Sequence, residues 1–187
     1  YKNPVTVSES TVFTWTTESE NEMQSKSQSI CIRIIHEESE EEFDISSTGS
    51  ITAYNGTKTE ISIPETVDSI TVTAIGDKVF NSTNHPDMRT VIMPDTVKEI
   101  GTNAFKENSS LEYIKADGVE KVSPSSFNGC VALTQLEFPS LISVSGGAFM
   151  NCFSLGNIDI KSVKTIGTQA FYGCISLKSL VLPDAEY

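Results

Sequence analysis

The cysteines are the residues whose chemistry would matter most in this chain if they were reactive. Cys130, Cys152 and Cys174 follow one another at one constant interval, and Cys31 lies outside this series. A reactive thiol needs a particular local environment, so a catalytic cysteine has no reason to recur at a fixed interval. No Cys-x-x-Cys pair occurs, and three equally spaced side chains cannot all pair with one another. The spacing therefore predicts free, buried packing thiols.

The remaining chemistry-bearing residues form no recognisable catalytic or metal-binding pattern. The two histidines, His36 and His85, neither recur nor lie beside a candidate nucleophile, and the sequence has no HExxH, GxSxG, phosphate-binding or dinucleotide-binding motif. The acidic stretch HEESEEEFD, residues 36–44, lacks EF-hand spacing and a second histidine four residues on, and we interpret it as a solvated loop. The sequence predicts no enzyme, no cofactor and no metal site.

Composition and charge restrict the partners. The chain has 187 residues, of which 38% are hydrophobic and 20% are charged, and its net charge is −12. It has no cluster of lysines and arginines that could neutralise several phosphates, so nucleic acid is a poor partner. No apolar run approaches the ~18 residues of a membrane span, so we expect no membrane insertion.

The cysteines are one column of an internal repeat. Five further columns keep the same spacing, including a leucine column at 111, 133, 155 and 177 and an alanine or serine column at 104, 126, 148 and 170. Self-similarity at this period is typical of solenoids, in which each repeat buries its apolar side against its neighbours. Large rings in one column would form the spine of the core. The predicted structural ladder consists of Phe80, Phe105, Phe127, Phe149, Phe171, Cys130, Cys152 and Cys174.

Each repeat is predicted to form a short strand followed by a tight turn. Residues 133–138, LTQLEF, follow the L-x-x-L-x-L frame, and their alternation places Leu136 and Phe138 inside and Gln135 and Glu137 outside. After a second short apolar pair, the motif Gly-x-Ala-Phe-x-x-Cys is predicted to form a tight helical turn. The sequence period is 22, and it is 25 in the first copy because of extra residues around His85.

These motifs resemble those of the BspA-like leucine-rich repeat proteins. The resemblance rests on VKEIGTNAFKENSSL, VEKVSPSSFNGCVAL, LISVSGGAFMNCFSL and VKTIGTQAFYGCISL, with proline often ending the strand. It implies a right-handed α/β-type solenoid that is mostly β, with about five repeats over residues 49–187 and the last one incomplete. Residues 1–48 show no repeat, and the alternating stretches TVFTWTT and SICIRIIH predict a β-rich N-terminal cap.

The resemblance also implies a function, which is that of a cell-surface or secreted protein that adheres to host matrix proteins or to other cells. The partner would be a protein or a glycan. The alternative is a structural spacer within a longer repeat array whose binding site lies elsewhere. For binding, the best surface would be the outward side of the stacked strands. Its predicted residues are Thr90, Ile92, Tyr113, Lys115, Gln135, Glu137, Asn157, Asp159, Ser179 and Val181.

A second contact is predicted at the last strand. Residues 177–182, LKSLVL, form a frame without the turn that would complete its repeat. A strand of this kind leaves a sheet edge that another chain can pair with. The sequence therefore predicts that this span is either cut from a longer repeat array or protected by self-association through this C-terminal edge strand.

Overall fold

The computed structural model describes residues 14–15, 28–29, 42–160, 162–178 and 180. The chain divides into two compact units, Tyr1–His36 and Glu37–Tyr187. In the first unit, β1 (Thr14–Trp15) pairs antiparallel with β2 (Gln28–Ser29). Cys31 and most of the acidic stretch lie outside the described residues, and the predicted boundary of the cap at residue 48 stays a prediction.

The second unit is built on two sheets that run along a stack. The seven-stranded sheet contains, in chain order, β3 (Phe43–Ile45), β4 (Ser50–Tyr54), β8 (Ala74–Ile75), β10 (Glu99–Ile100), β12 (Lys121–Val122), β14 (Ser143–Val144) and β16 (Thr165–Ile166). The five-stranded sheet contains β5 (Glu60–Ser62), β9 (Thr90–Ile92), β11 (Tyr113–Lys115), β13 (Gln135–Glu137) and β15 (Asn157–Asp159). A separate antiparallel hairpin joins β6 (Thr66–Val67) to β7 (Ile70–Thr71).

All pairs in the two large sheets are parallel except β3 with β4. From β8 onward the chain visits the two sheets alternately, so each turn of the stack, which we call a rung, adds one strand to each sheet. In the five-stranded sheet Ile114 pairs with Val91 on one side and with Leu136 on the other, and all three are buried. The predicted mostly β solenoid is confirmed.

Stacked phenylalanine rings fill the core. The ring centroids of successive members of the Phe80–Phe171 column lie 5.2, 5.0, 5.2 and 5.3 Å apart, and the three later pairs are within 7° of parallel. Phe80, Phe105, Phe127 and Phe149 are fully buried, whereas Phe171 is half-buried. The rings lie at rung spacing because parallel strands are about 4.8 Å apart.

The aromatic packing continues before the first rung. The ring of Tyr54, at the end of β4, lies 5.9 Å from that of Phe80 and 4.9 Å from that of Phe43 on β3. Because β3 pairs antiparallel with β4, it occupies one edge of the seven-stranded sheet. The hairpin of β3 and β4 thus adds aromatic rings to the N-terminal end of the core.

The turn around each phenylalanine differs from the expected helical turn. The described residues contain no α-helix. In the second rung Asn103 and Glu107 both have left-handed backbone conformations, with φ of 56° and 59°. A left-handed residue cannot continue a right-handed helix. The backbone instead bonds from rung to rung, as from Phe105 N to Ser126 O at 2.7 Å and from Phe127 N to Ala148 O at 2.8 Å.

Candidate binding face

The outward side of the five-stranded sheet is the candidate binding face, and we call it the outer strand face. Its strands place the first and third residues outward, because the middle residue is buried in β5, β9, β11 and β13 and partly buried in β15. The parallel register sets these residues in two rows across the rungs. One row contains Glu60, Thr90, Tyr113 and Gln135, and the other contains Ser62, Ile92, Lys115 and Glu137.

Tyr113 lies near the centre of this face. It is half-buried, and it pairs in register with Thr90 on one side and with Gln135 on the other. Burial first, and the carboxylate of Glu137 second, raise the pKa of Tyr113 above its usual value. The hydroxyl is therefore neutral at physiological pH, so it can donate a hydrogen bond to a partner or accept one from it.

Polar contacts orient the side chains next to this tyrosine. The Gln135 amide donates a hydrogen bond from Nε2 to Glu137 Oε1 at 2.8 Å. Lys115 Nζ lies 3.3 Å from Asp117 Oδ2, just beyond the end of the strand. The side chains near Tyr113 therefore include an amide, a lysine and two carboxylates. This arrangement is typical of a surface that binds a polar partner, not of a deep ligand pocket.

Four predicted positions of this face are less fully described. Asn157 and Asp159 take the expected register positions, opposite Gln135 and Glu137. Ser179 and Val181 lie outside the described residues, and so does the predicted self-association at the edge strand 177–182, apart from its residues 177, 178 and 180.

Sequence reasoning missed the part of this face contributed by β5. Glu60 and Ser62 continue its two rows because β5 pairs in register with β9. A usable signal was present, since EISIP at 60–64 and TVIMP at 90–94 share alternating apolar residues before a proline. The correspondence was hidden because EISIP and TVIMP are further apart in the chain than equivalent stretches of the later repeats.

The cysteine column lies inside the stack. Cys130, Cys152 and Cys174 are free thiols, and each donates a hydrogen bond to a phenylalanine carbonyl 3.0–3.1 Å away. Burial raises the pKa of Cys130, which keeps that thiol protonated and unreactive. Full burial was expected for all three, but Cys174 is only half-buried, because in the described part of the chain no later turn segment packs on its rung.

The other titratable candidates have packing roles. The ring of His85 lies 5.2 Å from that of Tyr54 and 5.7 Å from that of Phe80. Burial lowers the pKa of His85, so the imidazole is held neutral as part of this aromatic group. Among the described residues, no group of three or more histidine, cysteine and acidic side chains could hold a metal ion.

Comparison with known proteins places this repeat in a family. The sequence model for the BspA type leucine rich repeat region matches residues 49–178 in six copies. The chain belongs to the BspA-type leucine-rich repeat family. It is thus a leucine-rich repeat module, a fold whose stacked strands present an extended surface suited to protein partners.

Solved structures of bacterial leucine-rich repeat proteins are similar to this chain. The leucine-rich repeat protein of T. pallidum matches with a TM-score of 0.69 and 29% sequence identity, over 75% of this chain and 69% of that one. A leucine-rich repeat protein from Bacteroides ovatus matches with a TM-score of 0.63 and 27% identity, over 82% of this chain and 42% of that one. The chain thus spans less than half of the Bacteroides protein. No curated protein sequence matches it.

The described part of this BspA-type module has no membrane-spanning helix, since no helix there is long and apolar enough to cross a bilayer.

Proposed function

We propose that the chain is a non-enzymatic binding module of a cell-surface or secreted protein, and that its outer strand face adheres to host matrix proteins or to other cells. Membership of the BspA-type family supports a protein-interaction role. The observation that carries the proposal is the half-buried Tyr113, which is flanked in register by the polar side chains of Thr90 and Gln135. Lys115 and Glu137, the register pair two residues further along these strands, add charges of both signs to the same face. An aromatic anchor within a polar rim is the usual composition of a protein-binding hot spot.

The contacts on this face reduce the entropy cost of binding. Glu137 already accepts a hydrogen bond from Gln135, and Lys115 already pairs with Asp117. Side chains that are ordered before a partner arrives lose less conformational freedom on association. Because the face contains charges of both signs, it also selects a partner with complementary charges rather than a uniformly charged polymer.

The test measures the binding of the chain to a panel of immobilised soluble matrix proteins by biolayer interferometry. Tyr113→Thr and Lys115→Ile copy the residues that Thr90 and Ile92 supply at the same positions one rung earlier, so both variants should fold. We expect the double variant to lower the affinity for a panel member at least about tenfold, the loss typical of a hot spot.

A matched control removes a lysine from the other sheet. Lys121→Ser copies Ser143, its register neighbour in the seven-stranded sheet, and should leave the affinity within about twofold, as expected for a position outside the interface. If the double variant binds as well as the unmodified chain, the outer strand face is not the binding site. If the unmodified chain binds no panel member, the spacer role becomes the better account.

A further inference from the structure

The surface of the turns changes character along the stack. This turn surface consists, in each rung, of the segment between the strand of the seven-stranded sheet and the next strand of the five-stranded sheet. Two outward columns run along it at the repeat interval. The first column is Lys106, Asn128, Met150 and Tyr172, and the second is Ser109, Val131, Phe153 and Ile175. Both columns are polar in the earlier rungs and apolar in the later ones.

The apolar members of these columns are accessible to solvent. Phe153, Tyr172 and Ile175 are 43%, 64% and 81% exposed, which makes them three of the five exposed large hydrophobic residues in the described chain. Val131 and Met150 are half-buried. We call these five residues the apolar strip. Backbone hydrogen bonds join neighbouring rungs at this place, from Gly129 N to Met150 O at 2.8 Å and from Asn151 N to Tyr172 O at 2.7 Å, so the strip is continuous across three rungs.

The fold does not require apolar residues at these positions. Lys106 and Ser109 occupy the same two columns in the second rung, where Phe105 beside them is still fully buried. Exposed apolar residues that are contiguous on a soluble chain mark an interaction surface. The strip therefore needs a partner outside its own core.

The charge distribution around the strip points to the nature of that partner. The three turn segments that contain it, residues 123–134, 145–156 and 167–178, have a single charged side chain, Lys178 at the last position, and no acidic one, although the chain as a whole has a net charge of −12. The two earlier segments, residues 76–89 and 101–112, contain four and three charged residues respectively. Two copies of an acidic chain repel each other, and they approach at the lowest cost where neither presents an acidic side chain.

We propose that two copies of the chain associate with apolar strip against apolar strip. A contact of the same surface on both copies closes as a two-fold dimer, which is the commonest symmetric assembly. It buries Phe153, Tyr172 and Ile175 of both copies and brings no acidic side chains from the turn segments together. The outer strand face belongs to a different part of each rung, so this dimer doubles the number of such faces for a multivalent partner.

The experiment is sedimentation velocity of the full chain over a concentration series. The test variants take residues from the same columns in earlier rungs. Phe153→Ser with Ile175→Ser copies Ser109, and Tyr172→Asn copies Asn128. We expect the unmodified chain to dimerise, and each variant to weaken the dimer at least about tenfold, as loss of buried aromatic and aliphatic anchors does at other interfaces. Thermal melting midpoints that match the unmodified chain verify that the variants are folded.

The control removes an exposed apolar residue that lies outside the turn segments. Ile142 is 39% exposed and lies at the start of the adjoining strand segment, in a column with Lys98, Glu120 and Lys164, so Ile142→Ser should leave the dimer unchanged. Raising salt from about 0.02 M to about 0.5 M should strengthen the dimer, because it screens the repulsion between acidic copies without breaking ion pairs.

Three results would overturn the proposal. The first is an unmodified chain that stays monomeric from micromolar to millimolar concentration. The second is a dimer that survives in both the double variant and Tyr172→Asn. The third is a dimer that Ile142→Ser weakens as much as the strip variants do, since that result indicates unspecific apolar association.

Discussion

The phenylalanine column and the outer strand face follow the same repeat, but the residue type is constant in the first and changes from rung to rung in the second. Inside the stack the same ring recurs in every rung from Phe80 to Phe171. On the outer strand face the register neighbours Thr90, Tyr113 and Gln135 share neither size nor polarity. Stacking at a fixed spacing demands one shape inside, whereas outward residues contact solvent and can differ from rung to rung. The repeat therefore fixes the fold and leaves the recognition surface free to vary.

The largest expected effect comes from breaking the interior column. Phe127 is fully buried and its ring centroid lies within 5.2 Å of those of Phe105 and Phe149. Phe127→Ala should lower the free energy of unfolding by about 3–5 kcal/mol, because it removes a large apolar side chain and leaves a cavity between two rings. Urea denaturation followed by circular dichroism measures the change.

The end of the same column provides the comparison for this variant. Phe171 is half-buried and has one described ring neighbour, Phe149, at 5.3 Å. Phe171→Ala should therefore cost clearly less than Phe127→Ala, since less apolar surface returns to water. Equal costs for the two substitutions would show that the column does not act as a stack with a better-packed middle.

A smaller and more local difference should separate the thiols. Cys130 and Cys152 are fully buried, whereas Cys174 is half-buried. A bulky maleimide should label Cys174 of the folded chain well before the other two, because buried thiols react only after the structure opens. Peptide mass spectrometry at successive times identifies the labelled cysteine. Labelling of Cys130 as fast as Cys174 would contradict the burial of this column, and labelling in urea gives the unprotected rate.

The side chains of the interior could be predicted from the sequence because all of the apolar columns share a single repeat interval. Phenylalanine, leucine and cysteine columns that share one interval leave little freedom in which side chains face inward. The position of Tyr113 on the outer strand face follows from the same alternation. Its half-buried state and its interaction with Glu137 depend on the neighbouring rung, so they cannot be predicted from the sequence of one strand alone.

The turns were not predictable in the same way. A left-handed backbone conformation can usually be predicted where the sequence has a glycine, as at Gly129 with φ of 79°. In the second rung the corresponding residue is Glu107, with φ of 59°, and Asn103 is left-handed too. Hydrogen bonds to the next rung, such as Glu107 N to Asn128 O at 2.7 Å, hold this conformation. A contact between rungs thus overrides the local preference for a helical turn.

The smallest expected effect lies on the outside of the seven-stranded sheet, where side chains one rung apart also interact. Lys121 Nζ lies 2.7 Å from Glu99 Oε1, and the Ser123 hydroxyl donates to the same oxygen at 2.8 Å. The Lys121 hydrogen bond, with a smaller contribution from Ser123, lowers the pKa of Glu99 below its ordinary value of 4.5, despite partial burial that acts in the opposite direction.

Because the folded-state pKa of Glu99 is lowered, its contribution to stability is present above pH 4.5 and is lost as pH falls through the folded pKa. Both side chains are about half exposed, so solvent screens the pair. Lys121→Ser, which retains the Ser123 hydrogen bond, should therefore cost no more than about 0.5 kcal/mol at neutral pH and low salt. Urea denaturation at a series of pH values should show the two chains converging in stability below pH 4.5. High salt should also reduce the difference at neutral pH, whereas a difference that persists in acid and in salt would mean that Lys121 acts through packing of its aliphatic stem.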